Sequence, residues 1–285
     1  EQIIMVCFDR SDSMNWNLNG DSINNLFKFP FPNTDDVSRL FIEKQYLTSF
    51  ANKFYAYRVP CLLGLMSFNK DVEIRCHLSP LIPDFETKGL DGIESVGGTA
   101  VWDAISLACD ELVKCTKDSN GKPIFKKAKK RILVISDGED TLSKTKSFIV
   151  AKKLIQNKII LDTVIISSED CCKELASIAH ISGGLALKPN DIFIGLDYFE
   201  MSAFQNYNER KKPTNPIIKG NKSTIPLKTL TEDMITEDFI QQAIEFVKFD
   251  TEIINPTLVK AKLNSRLATP DHICSVCTEK KIKEP

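Results

Sequence analysis

Short apolar runs alternate with segments of helical period along most of this chain, and that alternation restricts the fold more than any other feature. Ile132–Ile135 leads into Thr145–Gln156, Ile159–Ile166 into Cys172–Ile181, and Leu185–Leu187 into Asp191–Phe204. The runs are too short for ordinary helices and mostly apolar, as strands buried on both faces are. Strand–helix–strand repeats of this kind build a parallel sheet covered by helices on both sides. Ile3–Phe8 reads as a further buried strand, and Cys61–Phe68, after Pro60, as another. Between them, Val37, Leu40, Phe41, Tyr46, Leu47, Phe50 and Phe54 recur at helical steps, with Asp35 and Asp36 at the helix start, where the macrodipole favours acids. Asn69-Lys70-Asp71 reads as a turn, and Val72–Cys76 alternates like an edge strand with one wet face. Trp102–Val113 is helical again. The expected class is α/β: a Rossmann-like, doubly wound, mostly parallel six-stranded sheet with one short antiparallel edge strand.

Ligands of such sheets sit beyond the carboxyl ends of the strands, and there the sequence concentrates oxygen donors. Asp9-Arg10-Ser11-Asp12-Ser13 follows the first strand directly. Thr99 lies in Gly97-Gly98-Thr99-Ala100, just before a helical segment. Asp137 stands in Ser136-Asp137-Gly138-Glu139-Asp140, at the end of a later strand. Carboxylates and hydroxyls are hard donors that suit Mg²⁺, Ca²⁺ or Mn²⁺ and suit zinc poorly. Turn and cap residues of the same types are the plain alternative, though caps require no fixed order of three motifs.

Asp-x-Ser-x-Ser, then a Thr, then an Asp after a later strand resembles the metal-ion-dependent adhesion site of the von Willebrand factor A domain, over roughly residues 1–207. The resemblance implies that Ser11 and Ser13 ligate a divalent ion directly and that Thr99 does so directly or through water. It implies that Asp9 and Asp137 act mainly through bound water, with an acidic side chain of a protein partner completing the shell. Asp12 stands where the family usually has Gly, and a salt bridge to Arg10 is the expected outlet for its charge. Arg10, Asp12, Trp16, Gly98 and Glu139 are candidate partner contacts. The stretch Asn15–Thr34 is longer than the usual loop; Trp16, Leu18, Leu26, Phe27, Phe29 and Phe31 either pack on the domain or flank the metal face.

A net charge of −1 leaves no polycationic field to hold nucleic acid or an anionic membrane. The basic knot Lys126–Arg131 reads as a solvated connection to a strand. Nine scattered cysteines, with Cys7, Cys61 and Cys109 in apolar segments, suit a reducing compartment, so a cytoplasmic location is expected. No apolar run approaches membrane-spanning length. The chain starts one residue before a core strand, as a cut fragment or processed product would.

Residues 208–230 read as a linker, and 231–285 as a helical or irregular extension that packs back on the A domain or on a partner. Glu232–Phe249 is the expected helix there, with Met234, Ile235, Phe239, Ile240, Ile244 and Val247 on one side. Cys274 and Cys277 near His272 form half of a zinc site at most, since no second pair follows. Cys171-Cys172 and His180 read as structural. Three functions follow as expectations. The first is a Mg²⁺-dependent module that binds an exposed Asp or Glu of a protein partner and is not an enzyme. The second is a Mg²⁺-dependent phosphatase with Asp9 as nucleophile, weakened by Ser11 where a second Asp is required. The third is a ubiquitin-pathway adaptor with a truncated zinc module.

Overall fold

The structure, a computed structural model, describes residues 2–16, 38–117, 120–121, 124–125, 128–137, 140–167, 172–189, 192–204 and 230–250. Its sheet is six-stranded in the order β3-β2-β1-β4-β5-β6. The strands are β1 (Gln2–Asp9), β2 (Cys61–Phe68), β3 (Val72–Ser79), β4 (Lys129–Ser136), β5 (Ile159–Ile165) and β6 (Ala186–Leu187). All neighbours pair in parallel except β2 with β3, which are antiparallel. The helices are α1 (Arg39–Ala56), α2 (Ile82–Asp84), α3 (Val101–Cys115), α4 (Ser147–Gln156), α5 (Lys173–Ile181), α6 (Ile192–Phe204) and α7 (Glu237–Phe246).

The two-residue period of a strand sorts β1 between two cores. Ile3, Met5 and Cys7 face one side with residues of α3, α4, α5 and α7. Ile4, Val6 and Phe8 face the other with residues of α1 and α6. Burial on both faces explains why these strands read as unbroken apolar runs. The central position of β1 also fixes the site, because the chain winds outward in opposite directions from the β1–β4 boundary. At that boundary the loops diverge and leave a crevice at the carboxyl ends.

Three expectations need correction. The first helix begins at Arg39, with the Ser38 hydroxyl accepting from the Phe41 N–H at 3.2 Å, and Asp35, Asp36 and Val37 lie outside the described residues. Phe41 points to solvent (52% exposed), and Ile42 takes its place in the buried stripe. The expected Glu232–Phe249 helix is broken: a single 3₁₀ turn (Glu232–Met234) is followed by extended, buried Ile235. Thr236 then caps a new helix, accepting from the Phe239 N–H at 3.1 Å. Ile235, Phe239, Ile240 and Ala243 bury in the core beside α5, whereas Met234 is exposed. Beyond α7, Asp250 pairs in parallel with Leu187 of β6, and its carboxylate lies 2.9 Å from Nε2 of buried His180. Cys172 caps α5 with φ at 64°; Cys171, Cys274 and Cys277 lie outside the described residues.

Candidate metal centre at the carboxyl rim of the sheet

Asp9 ends β1 and Ser136 ends β4, and parallel pairing of Phe8 with Ile135 sets them side by side. The Ser136 hydroxyl donates to Asp9 Oδ2 at 2.5 Å, while the Ser11 N–H donates to Asp9 Oδ1 at 2.8 Å. The Asp9 carboxylate is thus aimed and fully buried. The loop after β1 turns at once into a 3₁₀ segment (Asp12–Asn15), which brings Ser13 Oγ to 3.1 Å from Ser11 Oγ. Ser13 Oγ in turn donates to Asp137 Oδ1 at 2.9 Å.

The Thr99 loop is tied to both neighbours. The Asp12 N–H donates to Gly97 O at 2.8 Å, and the Thr141 and Leu142 N–H groups donate to Thr99 O at 2.9 Å. The Thr99 N–H donates to Thr141 Oγ1 at 2.9 Å. Asp140 and Ser143 then cap α3 from a distance, accepting from Val101 at 2.9 Å and Trp102 at 3.0 Å. These contacts satisfy N–H groups that a helix start leaves orphaned. They also lock Thr99, 5% exposed, beside the other two loops.

Asp9, Ser11, Ser13, Thr99 and Asp137 therefore stand on three stitched loops at one rim. Around a six-coordinate ion with ligands at about 2.1 Å, adjacent oxygens lie about 3.0 Å apart; calcium's longer bonds widen that to about 3.4 Å. The Ser11–Ser13 and Ser13–Asp137 separations of 3.1 and 2.9 Å are ordinary hydrogen-bond lengths, and they set the two hydroxyls close enough to be adjacent ligands of one ion. Among the described residues no three His, Cys, Asp or Glu side chains group as a metal site. A set built on hydroxyls and a carboxylate pair falls outside that pattern.

The charge around the rim explains the acids' behaviour. Burial, followed by the neighbouring Asp137, pushes Asp9 up to about 7 against the hydrogen bonds from Ser136 and Ser11. Glu43 of α1 accepts from the Asp9 N–H at 3.2 Å and is fully buried. Burial first, and Asp9 second, raise Glu43 well above the ordinary carboxylate range. Its other oxygen is buried with no hydrogen-bond partner among the described residues. A buried acidic cluster of this kind gains stability from an added cation. Arg39, one helical turn before Glu43, places Nη1 on Asp137 Oδ2.

The expected partner contacts divide. Arg10 does not bridge to Asp12: its Nη2 lies 3.9 Å from Glu73 Oε2 on β3, because β2–β3 pairing brings that edge under the loop, and Asp12 is exposed. Trp16 is 56% exposed, with Arg39 Cζ 5.5 Å from its ring. Gly98 serves packing, since a Cβ there would lie 2.6 Å from Leu142 Cδ1. Glu139 and residues 17–37 of the long loop lie outside the described residues. Sequence reading missed Ser136, Glu43 and Arg39. Arg39 and Glu43 sit one turn apart on the helix face that carries Tyr46 and Phe50, and two charges on an apolar stripe were the available signal. It also missed Val96 and Leu142, exposed apolar side chains beside the Arg10 and Thr99 loops.

Solved structures with the same architecture include a von Willebrand factor type A protein from Catenulispora acidiphila. It has a TM-score of 0.52 and 13% identity, and the match covers 74% of this chain and 43% of that one. The fold is that of a von Willebrand factor type A domain. The PilB minor pilin from Streptococcus sanguinis shares it with a TM-score of 0.50 and 13% identity, over 71% of this chain and 60% of the pilin. Proximal thread matrix protein 1 from the mussel byssus does so with a TM-score of 0.51 and 16% identity, over 71% of this chain and 47% of that one. No family model matches this chain. The probable bifunctional E2/E3 enzyme R795 of Acanthamoeba polyphaga mimivirus is 27% identical over 186 residues, 65% of this chain and 14% of the viral protein. No described helix is long and apolar enough to cross a membrane.

Proposed function

We propose that this A domain is a protein-interaction module whose rim holds a divalent cation (Mg²⁺, Ca²⁺ or Mn²⁺) and presents it to an acidic side chain of a partner. The observation that carries the reading is the convergence of Ser11 Oγ and Ser13 Oγ, 3.1 Å apart on the loop after β1, with Asp137 Oδ1 after β4, 2.9 Å from Ser13 Oγ. Ser11, Ser13 and Thr99 would hold the ion, with Asp9 and Asp137 orienting its waters. When bound, the ion supplies an electrophile for a carboxylate. Hydroxyl ligands add no charge, so the ion keeps its attraction for an anion. Trp16, Val96 and Leu142 offer apolar contact around it. Asp9 makes a poor phosphatase nucleophile, being buried with both oxygens already accepting hydrogen bonds.

A displayed peptide library panned in Mg²⁺ and eluted with chelator tests the reading. Asp- or Glu-containing binders that ignore the Ser11→Ala variant are the expected result. Binders of unchanged affinity in chelator would overturn it.

One finding favours a second reading, a place in the ubiquitin pathway: a viral E2/E3 relative aligns with 65% of this chain. It calls for ubiquitin-pathway proteins among partners eluted by chelator, which mass spectrometry would identify.

A further inference from the structure

We propose that Arg39 sets the metal affinity of this site, holding it low for the bare ion and leaving the loaded site more positive toward an acidic partner. The inference rests on the metal-centre reading above.

The two oxygens of Asp137 serve different neighbours. Oδ1 accepts from Ser13 within the oxygen cluster, while Oδ2 accepts from Arg39 Nη1 behind it. The pair is shielded from solvent, with the arginine side chain 6% and the aspartate side chain 0% exposed. Charges so placed are poorly screened, so the guanidinium cancels most of the field that Asp137 would exert on an entering cation. The backbone reinforces its position: the Arg39 N–H donates to Trp16 O at 3.3 Å, and the Trp16 ring lies 5.5 Å from Cζ. The indole and Ser13 belong to one short segment, so Arg39 is held by the same loop that carries the hydroxyls. An ion entering this site meets a fixed positive charge one carboxylate away. Once bound, it leaves the site one unit more positive than it would be without the arginine, and that excess attracts an anionic side chain. Metal and acidic ligand therefore bind better together than apart.

A role limited to holding Asp137 in place gives the opposite sign, because its loss would loosen the ion. Titration of Mn²⁺ alone, followed by the EPR signal of the free ion, separates the two in wild type, Arg39→Gln, Arg39→Lys and Ser11→Ala. The expected result is Mn²⁺ binding at least about ten-fold tighter in Arg39→Gln, near wild type in Arg39→Lys and lost in Ser11→Ala. The Mn²⁺-loaded Gln variant should also bind a short Asp-containing peptide more weakly than loaded wild type. Equal or weaker Mn²⁺ affinity in Arg39→Gln, with wild type binding normally, overturns the role of Arg39 and leaves the metal centre standing. No Mn²⁺ binding by any of the four overturns both. Should Arg39→Gln lose its near-ultraviolet circular dichroism, wild type still decides. Trp16 is exposed and Trp102 is buried, so acrylamide-quenchable emission reports Trp16. That emission should shift on adding Mg²⁺ to wild type, and an unchanged signal at saturating metal counts against the proposal.

Discussion

Among the described residues, two buried arginine–aspartate pairs differ in what surrounds them. Arg131 Nε of β4 contacts Asp162 Oδ2 of β5, and Asp162 Oδ1 accepts from the Leu185 N–H at 2.9 Å. Arg131 Nη1 reaches Ser202 O of α6 at 3.5 Å, with the Phe50 ring 5.9 Å away. Those partners all belong to the frame, so the pair ties β4, β5 and α6 together. In the Arg39–Asp137 pair one carboxylate oxygen is turned to the Ser13 hydroxyl at the rim, and the guanidinium is covered by a half-exposed indole. The same chemistry closes on itself in the interior and stays open at the rim. The first pair serves the fold, and the second is the one the proposal assigns to binding.

Removing one partner of the interior pair should have the largest effect on stability. Asp162→Leu alone is expected to cost about 3–5 kcal/mol in chemical denaturation, and Arg131→Met/Asp162→Leu to recover much of it. Mn²⁺ affinity of the folded protein should not change. If it did, the two regions would not be independent. Next comes the C-terminal tie, where the Asp250 carboxylate accepts from the Ala186 N–H and meets His180, both at 2.9 Å. Asp250→Ala should lose about 1–3 kcal/mol and speed hydrogen exchange in α7, again without changing the rim.

The rim should respond to pH. Asp9 is raised to about 7 in the metal-free fold and titrates near 4 when unfolded, so between those values the folded state holds more protons. Stability from this group is full below about pH 4 and is lost as pH rises through 7, by about 1 kcal/mol per unit; Glu43 adds in the same direction. Thermal melting without metal should therefore drift downward from pH 5 to 7, and stabilisation by Mg²⁺ should grow over the same interval. The smallest effect is expected from Arg10→Gln, since its 3.9 Å ion pair with Glu73 is partly exposed and worth about 0–1 kcal/mol.

Most of the frame was legible in the sequence because burial on both faces leaves Ile3–Phe8 of β1 and Cys61–Met66 of β2 as unbroken runs without polar side chains. Asp9, Ser11, Ser13 and Asp137 stood out because they directly follow apolar strands, and Thr99 because it precedes a helical segment. Contacts that depend on which distant loops meet were not. Arg39 and Glu43 belong to the rim only because the first turns of α1 reach Asp9 at the end of β1 and Asp137 after β4. Arg10 finds Glu73 through a strand pairing that no local pattern states. Thr236 illustrates the converse: it stood in plain view inside an apolar stripe, and its capping hydroxyl divided one expected helix into two pieces.

The central claim is that oxygens from three loops converge on one hard cation. Anomalous diffraction at the manganese edge, from crystals equilibrated with Mn²⁺, tests it most directly. The account expects a single strong peak at bonding distance from Ser11 Oγ and Ser13 Oγ, absent in Ser11→Ala. A peak elsewhere, or none at that rim with Mn²⁺ in excess, would contradict it.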